Sequence, residues 1–401
     1  MSAIIIPFPI DGKLVAVTGC RQILTNCHEN IHRLKTYFTS QEYSIFEIIK
    51  EPQINQSNKY LKIRKMKAFK YLTIIALSLL VLSCESLYFD EEPTNNPEAI
   101  FEDLWNTFNT SYANFEERGI DWQEQYSIYR PQVNTGTTEN ELHGIFIEML
   151  GKLNDTHVKF TAPNRKVFQA NIYYETKLED ELFNLDLIKN SYLTNLKEYQ
   201  DGGLVTGWIG NTAYAYFLYI SDNFFYMDKI LDEFKDADGL IIDLRHNGGG
   251  DLTYAFSEIG RLTNEVRFTH RSKTINGPTN KDFSEWFEWN INPEGQYFDK
   301  PLVLITDRYT VSAAERATMA FKTLPNLVHV GDTTNGAQST MIGRELMNGW
   351  YYTICPQKIE WKDGKSYEGI GLPPDIYVKN TLSEMAGGQD KTLETALANF
   401  K

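Results

Sequence analysis

Three runs of this 401-residue chain are apolar with almost no interruption: "LIIDL" at 240–244, "LVLIT" at 302–306 and "LVHV" at 327–330. A strand with one wet face alternates apolar and polar residues. A strand that is apolar at consecutive positions must be covered on both faces, which points to a largely parallel sheet between helices. The intervening sequence can supply those helices. Phe224, Met227, Ile230, Leu231 and Phe234 share one helical face, a second helix is expected near 253–263, and a third beginning at Ser312 turns Ala313, Ala317, Ala320, Phe321 and Leu324 inward. "TAYAYFLYI" at 212–220 adds a strand. "GWYYTICPQKI" and "PDIYV" are expected to close the sheet, with a terminal helix near 390–399. The fold class implied is α/β.

Upstream, two amphipathic helices are expected. Ile100, Leu104, Trp105, Phe108, Tyr112 and Phe115 fall on one helical face, and so do Leu142, Ile145, Phe146, Met149, Leu150 and Leu153. Thr138 and Glu141 stand before the second at capping-box spacing. The expected division is a helical unit over 98–160 and an α/β core over 161–401, with no internal repeat. Residues 160–205 show no strong period.

The net charge of −14 and the lack of a basic patch exclude nucleic acid as an expected partner. Four cysteines are too few for a disulfide framework, and Cys20 and Cys27 beside His28 and His32 fit no common zinc spacing, so no metal is expected.

From Met66 the chain reads "MKAFKYLTIIALSLLVLSCES": a basic start at Lys67 and Lys70, an apolar run over 71–82, then Ser83 and Cys84. The run is too short to span a bilayer but has the three-part plan of a secretory signal. A cysteine directly after it resembles a bacterial lipoprotein signal, which implies a lipid anchor on Cys84. Residues 66–84 are then a signal, 85–97 an acidic tether, and 1–65 an overextended gene start.

Chemistry centres on "TDRYTVSAAERAT" at 306–318. Ser312 and Glu315 have capping-box spacing, yet a serine at a helix start after a buried strand also suits a nucleophile. The local sequence leaves both open. In "RHNGGGD" three glycines follow a strand, either as a plain turn or to bring backbone amides close to an oxyanion. Neither nucleotide-binding glycine pattern is met. His157 in "NDTHVKF" and Glu368 in "YEGIGLPPD" are each unremarkable alone.

Together, "LNDTHVKF", "GLIIDLRHNGGG", "VLITDRYTVSAAE", "VGDTTNG" and "EGIGLPPDI" follow one another in the order found in the tail-specific, or C-terminal-processing, serine proteases. From about residue 98 onward the chain resembles that family in its tricorn-core-like branch. The resemblance implies a crotonase/Clp-protease-like ββα core, Ser312 as nucleophile, and an oxyanion hole from the Ala313 amide with Gly248 or Gly249. Where the bacterial processing proteases carry a catalytic lysine, this chain has Ala337. The tricorn-like set maps instead onto His157, Thr156 (a serine in the branch) and Glu368. About fifty residues separate His157 from the strand at 212, too few for the PDZ domain that many members carry.

The expectation is a serine endopeptidase of the cell envelope acting on protein or peptide substrates with no cofactor. The alternative is a non-catalytic ligand- or peptide-binding protein on the same fold. A crotonase-type acyl-CoA enzyme would need a phosphate site that the sequence does not offer. No sequence signal reports the oligomeric state.

Overall fold

A computed structural model describes residues 95–400. The signal at 66–84, Cys84, the segment 1–65 and the cysteines at 20 and 27 lie outside the described residues. No helix among the described residues is long and apolar enough to cross a membrane.

The centre is a seven-stranded sheet: β1 (Thr194–Tyr199), β2 (Leu204–Ile209), β3 (Thr212–Phe217), β4 (Leu240–Asp243), β5 (Leu302–Thr306), β6 (Leu327–Gly331) and β7 (Ile376–Tyr377). Their order across the sheet is their order along the chain. β1, β2 and β3 pair antiparallel, and every pairing from β3 to β7 is parallel. Every residue of β3, β4 and β5 is buried, as their uninterrupted apolar runs require.

Alternate residues serve opposite faces. Ala213, Ala215, Phe217, Leu240, Ile242, Leu302 and Leu304 meet helices α4 (Met227–Glu233), α5 (Leu252–Ile259) and α6 (Ala313–Phe321) through Ile230, Ile259, Ala317 and Phe321. Tyr214, Tyr216, Ile241, Val303 and Ile305 pack on the other side against Ile188 and, from the terminal helix α7 (Lys391–Leu397), Leu393 and Ala396.

The N-terminal helices are α1 (Pro97–Ser111), α2 (Trp122–Tyr129) and α3 (Glu139–Gly151). The capping box of Thr138 and Glu141 forms at the start of α3. α1 ends at Ser111, and Tyr112 is an extended cap, so Tyr112 and Phe115 are not helical as the spacing suggested. α2 went unread because only Trp122, Gln125 and Tyr129 of its eight residues are buried.

One expectation about the sheet is corrected. "PDIYV" does supply β7, but "GWYYTICPQKI" does not join the central sheet. Tyr351–Ile354 lies between Ile342–Glu345 and Lys159–Thr161 in a four-stranded sheet, and Gln357–Trp361 pairs with Arg267–Thr274 in a three-stranded one. The cause is aromatic packing. Tyr352 stacks on Phe108 at 5.7 Å and Trp350 meets Phe146 edge-on at 6.0 Å, so this hairpin completes the core of the helical unit. Phe108 and Phe146 are fully buried there, each contributing about 1.5–3 kcal/mol of apolar transfer.

The loops that leave β4, β5 and β6 all emerge at the carboxyl ends of parallel strands, where sites form in open α/β sheets. They are stitched together. Thr310 Oγ1 donates to the Leu244 carbonyl (2.7 Å), the Val311 amide to Asn247 O (3.1 Å), and the Asn335 amide to Thr310 O (3.0 Å).

Candidate active site

Ser312 opens α6 at φ 64° and ψ −124°. A helix cap normally takes the β region, and a non-glycine residue at such positive φ is strained by about 1–3 kcal/mol. Although Ser312 and Glu315 stand in capping-box juxtaposition, the serine hydroxyl makes no capping hydrogen bond. The side chain is half-buried at the end of a buried strand. This is the geometry of a presented hydroxyl.

Strain of this kind persists only where the surroundings hold it. The Ser312 amide donates to Ala337 O at 3.0 Å. Glu315, fully buried, accepts from Thr334 Oγ1 (2.6 Å) and from the amides of Gly336 (2.8 Å), Ala337 (2.7 Å) and, more loosely, Ser312 (3.4 Å). Burial raises its carboxyl above the usual range against the pull of these donors. Glu315 therefore clamps the loop after β6 onto the serine turn, which is the work the sequence assigned to a cap.

Asn247 holds the glycine loop. Its buried side chain donates to Phe217 O (2.8 Å) and accepts from the Gly249 amide (2.9 Å). Gly249 has φ 82°, and a Cβ there would fall 2.6 Å from Ser312 Cβ and 3.1 Å from the Ala313 nitrogen. Only glycine permits the contact. Because the Gly249 amide is occupied by Asn247, the free amides beside Ser312 are those of Ala313 and Gly248, neither with a hydrogen-bond partner among the described residues.

His157 lies between α3 and Lys159–Thr161 and is 3% exposed. Its amide donates to Asp155 Oδ1 (2.9 Å), Thr353 Oγ1 donates to its carbonyl, and its Nδ1 is buried without a partner. Burial pushes the imidazole down to about 4, with Asp155 pulling the other way. At neutral pH it is uncharged and able to take a proton.

Glu368 and Thr156 are placed differently from the relay implied by the resemblance. Glu368 Oε1 accepts from Arg118 Nη2 (2.7 Å), and Oε2 from the amides of Gln338 (2.9 Å) and Ser339 (3.1 Å). No hydrogen bond joins it to His157 or Thr156 among the described residues. Thr156 Oγ1 donates instead to Asn335 Oδ1. Burial raises the Glu368 carboxyl to about 7, with Arg118 opposing and Asp155 reinforcing the shift.

Arg118 went unnoticed in the sequence. Its side chain is 4% exposed and reaches the Asn154 carbonyl (2.5 Å), the Gly336 carbonyl (2.7 Å) and Glu368, with Asp155 at 3.5 Å. "NFEERGI" gives no sign of this, because its neighbours are charged like any surface loop. Asp155 was visible inside "NDTHVKF" but carried no assignment.

The segment at 172–183 acquires a place. Tyr309, three residues before Ser312, sets its hydroxyl 2.9 Å from the carbonyls of both Tyr173 and Leu178, and Tyr174 donates to the Tyr309 carbonyl (3.2 Å). Phe183 packs on His246, whose Nδ1 meets Asp307 at 2.6 Å. The segment buttresses the serine turn from outside.

A covered mixed sheet with a strained serine and free amides at its carboxyl edge has the form of a serine-peptidase core. Residues 221–378 match the model of Peptidase family S41, and residues 93–151 match the Tricorn protease C1 domain. The chain thus carries a peptidase S41 domain preceded by a tricorn protease C1 domain.

The nisin-resistance protein of Lactococcus lactis is 26% identical over 158 residues, 37% of this chain and 49% of that protein. A putative tricorn protease homolog 2 of Streptomyces coelicolor is 28% identical over 163 residues, 39% of this chain and 12% of that protein. This chain thus spans half or less of the length of those curated relatives. A putative peptidase from Parabacteroides merdae superposes with a TM-score of 0.69 at 24% identity, covering 77% of this chain and 97% of that one, a likeness of fold.

Proposed function

We propose that this protein is a serine endopeptidase that cleaves protein or peptide substrates in the cell envelope through an acyl-enzyme on Ser312. The observation that carries the reading is the Ser312 conformation: a left-handed, uncapped serine held by Glu315 beside two unoccupied amides.

Ser312 Oγ attacks the scissile carbonyl carbon while His157 accepts the hydroxyl proton. The negative charge that gathers on the carbonyl oxygen is met by the amides of Gly248 and Ala313. When the C–N bond breaks, His157 returns the proton to the leaving amine. Water, deprotonated by the same histidine, then releases the acyl group. Glu368 supports this chemistry from behind Arg118, and Thr156 by anchoring Asn335. A direct Ser312–His157 hydrogen bond is absent here, as is common before substrate closes a site.

The envelope setting rests on the lipoprotein-like sequence ending at Cys84, which would anchor the globular part to a membrane by lipid. Two experiments test the proposal. Purified 85–401 should cut reduced casein, read as new peptides by mass spectrometry, and Ser312→Ala and His157→Ala should not. Equal cutting by all three proteins would remove Ser312 from the chemistry. Palmitate labelling of the full chain should depend on Cys84; equal labelling of Cys84→Ala would end the lipoprotein assignment.

A further inference from the structure

The serine, histidine and glutamate account leaves idle the carboxylate nearest His157. Asp155 is fully buried. Its Oδ1 accepts from the His157 amide, its Oδ2 accepts from the Tyr112 hydroxyl at 2.7 Å, and Arg118 stands 3.5 Å away. An oxygen of this carboxylate, a ring nitrogen of His157 and the Sγ of Cys355 all lie within 4.8 Å of one another. Glu368 is held by Arg118 and the amides of Gln338 and Ser339, and none of its contacts is to His157.

We propose that Asp155 is the positioning carboxylate of His157, and that Glu368 acts one step removed by fixing Arg118 and the 336–339 loop. For its catalytic consequence this rests on the peptidase reading above; the proximity of the Asp155 carboxylate to the His157 ring does not.

The Asp155–His157 amide contact alone is an ordinary Asx turn, which asparagine makes equally well. A turn explains neither the second oxygen held by Tyr112 nor the retention of a charge in a site with no exposure, where an unpaired carboxylate is costly. Arg118 supplies the compensating charge. The charges facing His157 are Asp155 on one side and Lys159, Arg118 and Arg316 on the other; Asp155 is the one that favours the protonated ring. When His157 takes the Ser312 proton, an imidazolium forms in this dry surround, and Asp155 stabilises it without itself accepting the proton.

The test is a histidine titration that needs no substrate. Protein labelled at histidine Cε1 is followed by NMR against pH, with the His157 signal assigned by its loss in His157→Gln. Asp155→Asn should lower the His157 midpoint by about one unit or more, a tenfold change, or push it below the acid-unfolding limit. Glu368→Gln should move it less.

With a cleavable peptide, Asp155→Asn should cut kcat roughly tenfold or more with KM little changed, and Asp155→Glu should restore part of it. If Asp155→Asn does not fold, Asp155→Ser, which can also form the turn, replaces it. An unmoved His157 midpoint, or a larger shift in Glu368→Gln, overturns the proposal. If wild type cleaves nothing, the peptidase reading fails while the titration still decides the pairing.

Discussion

Gly249 and Ser312 are packed so closely that one added methyl group would bring their Cβ atoms to 2.6 Å. The φ of 82° at Gly249 adds strain for any other residue. Gly249→Ala should therefore both destabilise the protein and displace the serine. A kcat loss of roughly a hundredfold is expected, in line with the sensitivity of catalysis to misplacement on the ångström scale. Peptide hydrolysis and urea melts measure the two effects together.

Ser312 holds a backbone conformation that glycine would adopt freely. Ser312→Gly should abolish hydrolysis yet raise stability by about 1 kcal/mol, whereas Ser312→Ala should abolish hydrolysis without that gain. Equal melting curves for the two variants would show that the turn is not strained.

Arg118 neutralises two buried carboxylates. Arg118→Gln leaves Glu368 and Asp155 facing each other without a cation, a loss of about 3–5 kcal/mol for a broken buried pair. Denaturant unfolding at pH 7 should show it, with a smaller loss at pH 5, where Glu368 takes up a proton.

Glu368 also sets a pH dependence whose sign is fixed. Its folded-state pKa of about 7 is raised above the ordinary glutamate value of 4.5, so the folded protein binds that proton more tightly than the unfolded chain does. The stability this contributes is complete below about pH 4.5 and is lost as pH rises through about 7. Relative to Glu368→Gln, wild type should lose stability steadily across that window. Parallel melts at stepped pH check it, and a constant difference would exclude the shift.

Tyr309 ties the 172–183 segment to the serine turn through one hydroxyl. Tyr309→Phe should cost about 1 kcal/mol and speed hydrogen exchange in that segment, read by mass spectrometry.

The central sheet was legible because its strands are buried on both faces, and that leaves an unbroken apolar signature at 240–244 and 302–306. The hairpin around Trp350 misled because its apolar residues answer to Phe108 and Phe146, more than two hundred residues away in sequence, and a local pattern does not name its partner. Of the candidate site, Ser312, the glycine loop and His157 were singled out from motifs that need particular residue types. The supporting charges were not. Arg118 looks like any surface arginine until the fold removes it from water, and the exclusive use of the Gly249 amide by Asn247 is a matter of geometry alone.

The strands of the sheet enter in chain order, yet the residues that meet at the 334–339 loop come from positions 118, 156, 315 and 368. During synthesis the serine turn leaves the ribosome well before Glu368 and β7 do. Until that last stretch emerges, Arg118 has no glutamate to grip and the loop has no anchor for its Gln338 and Ser339 amides. A nascent chain that has released Ser312 but not yet Glu368 therefore holds its serine turn without the anchor on the far side of the 334–339 loop.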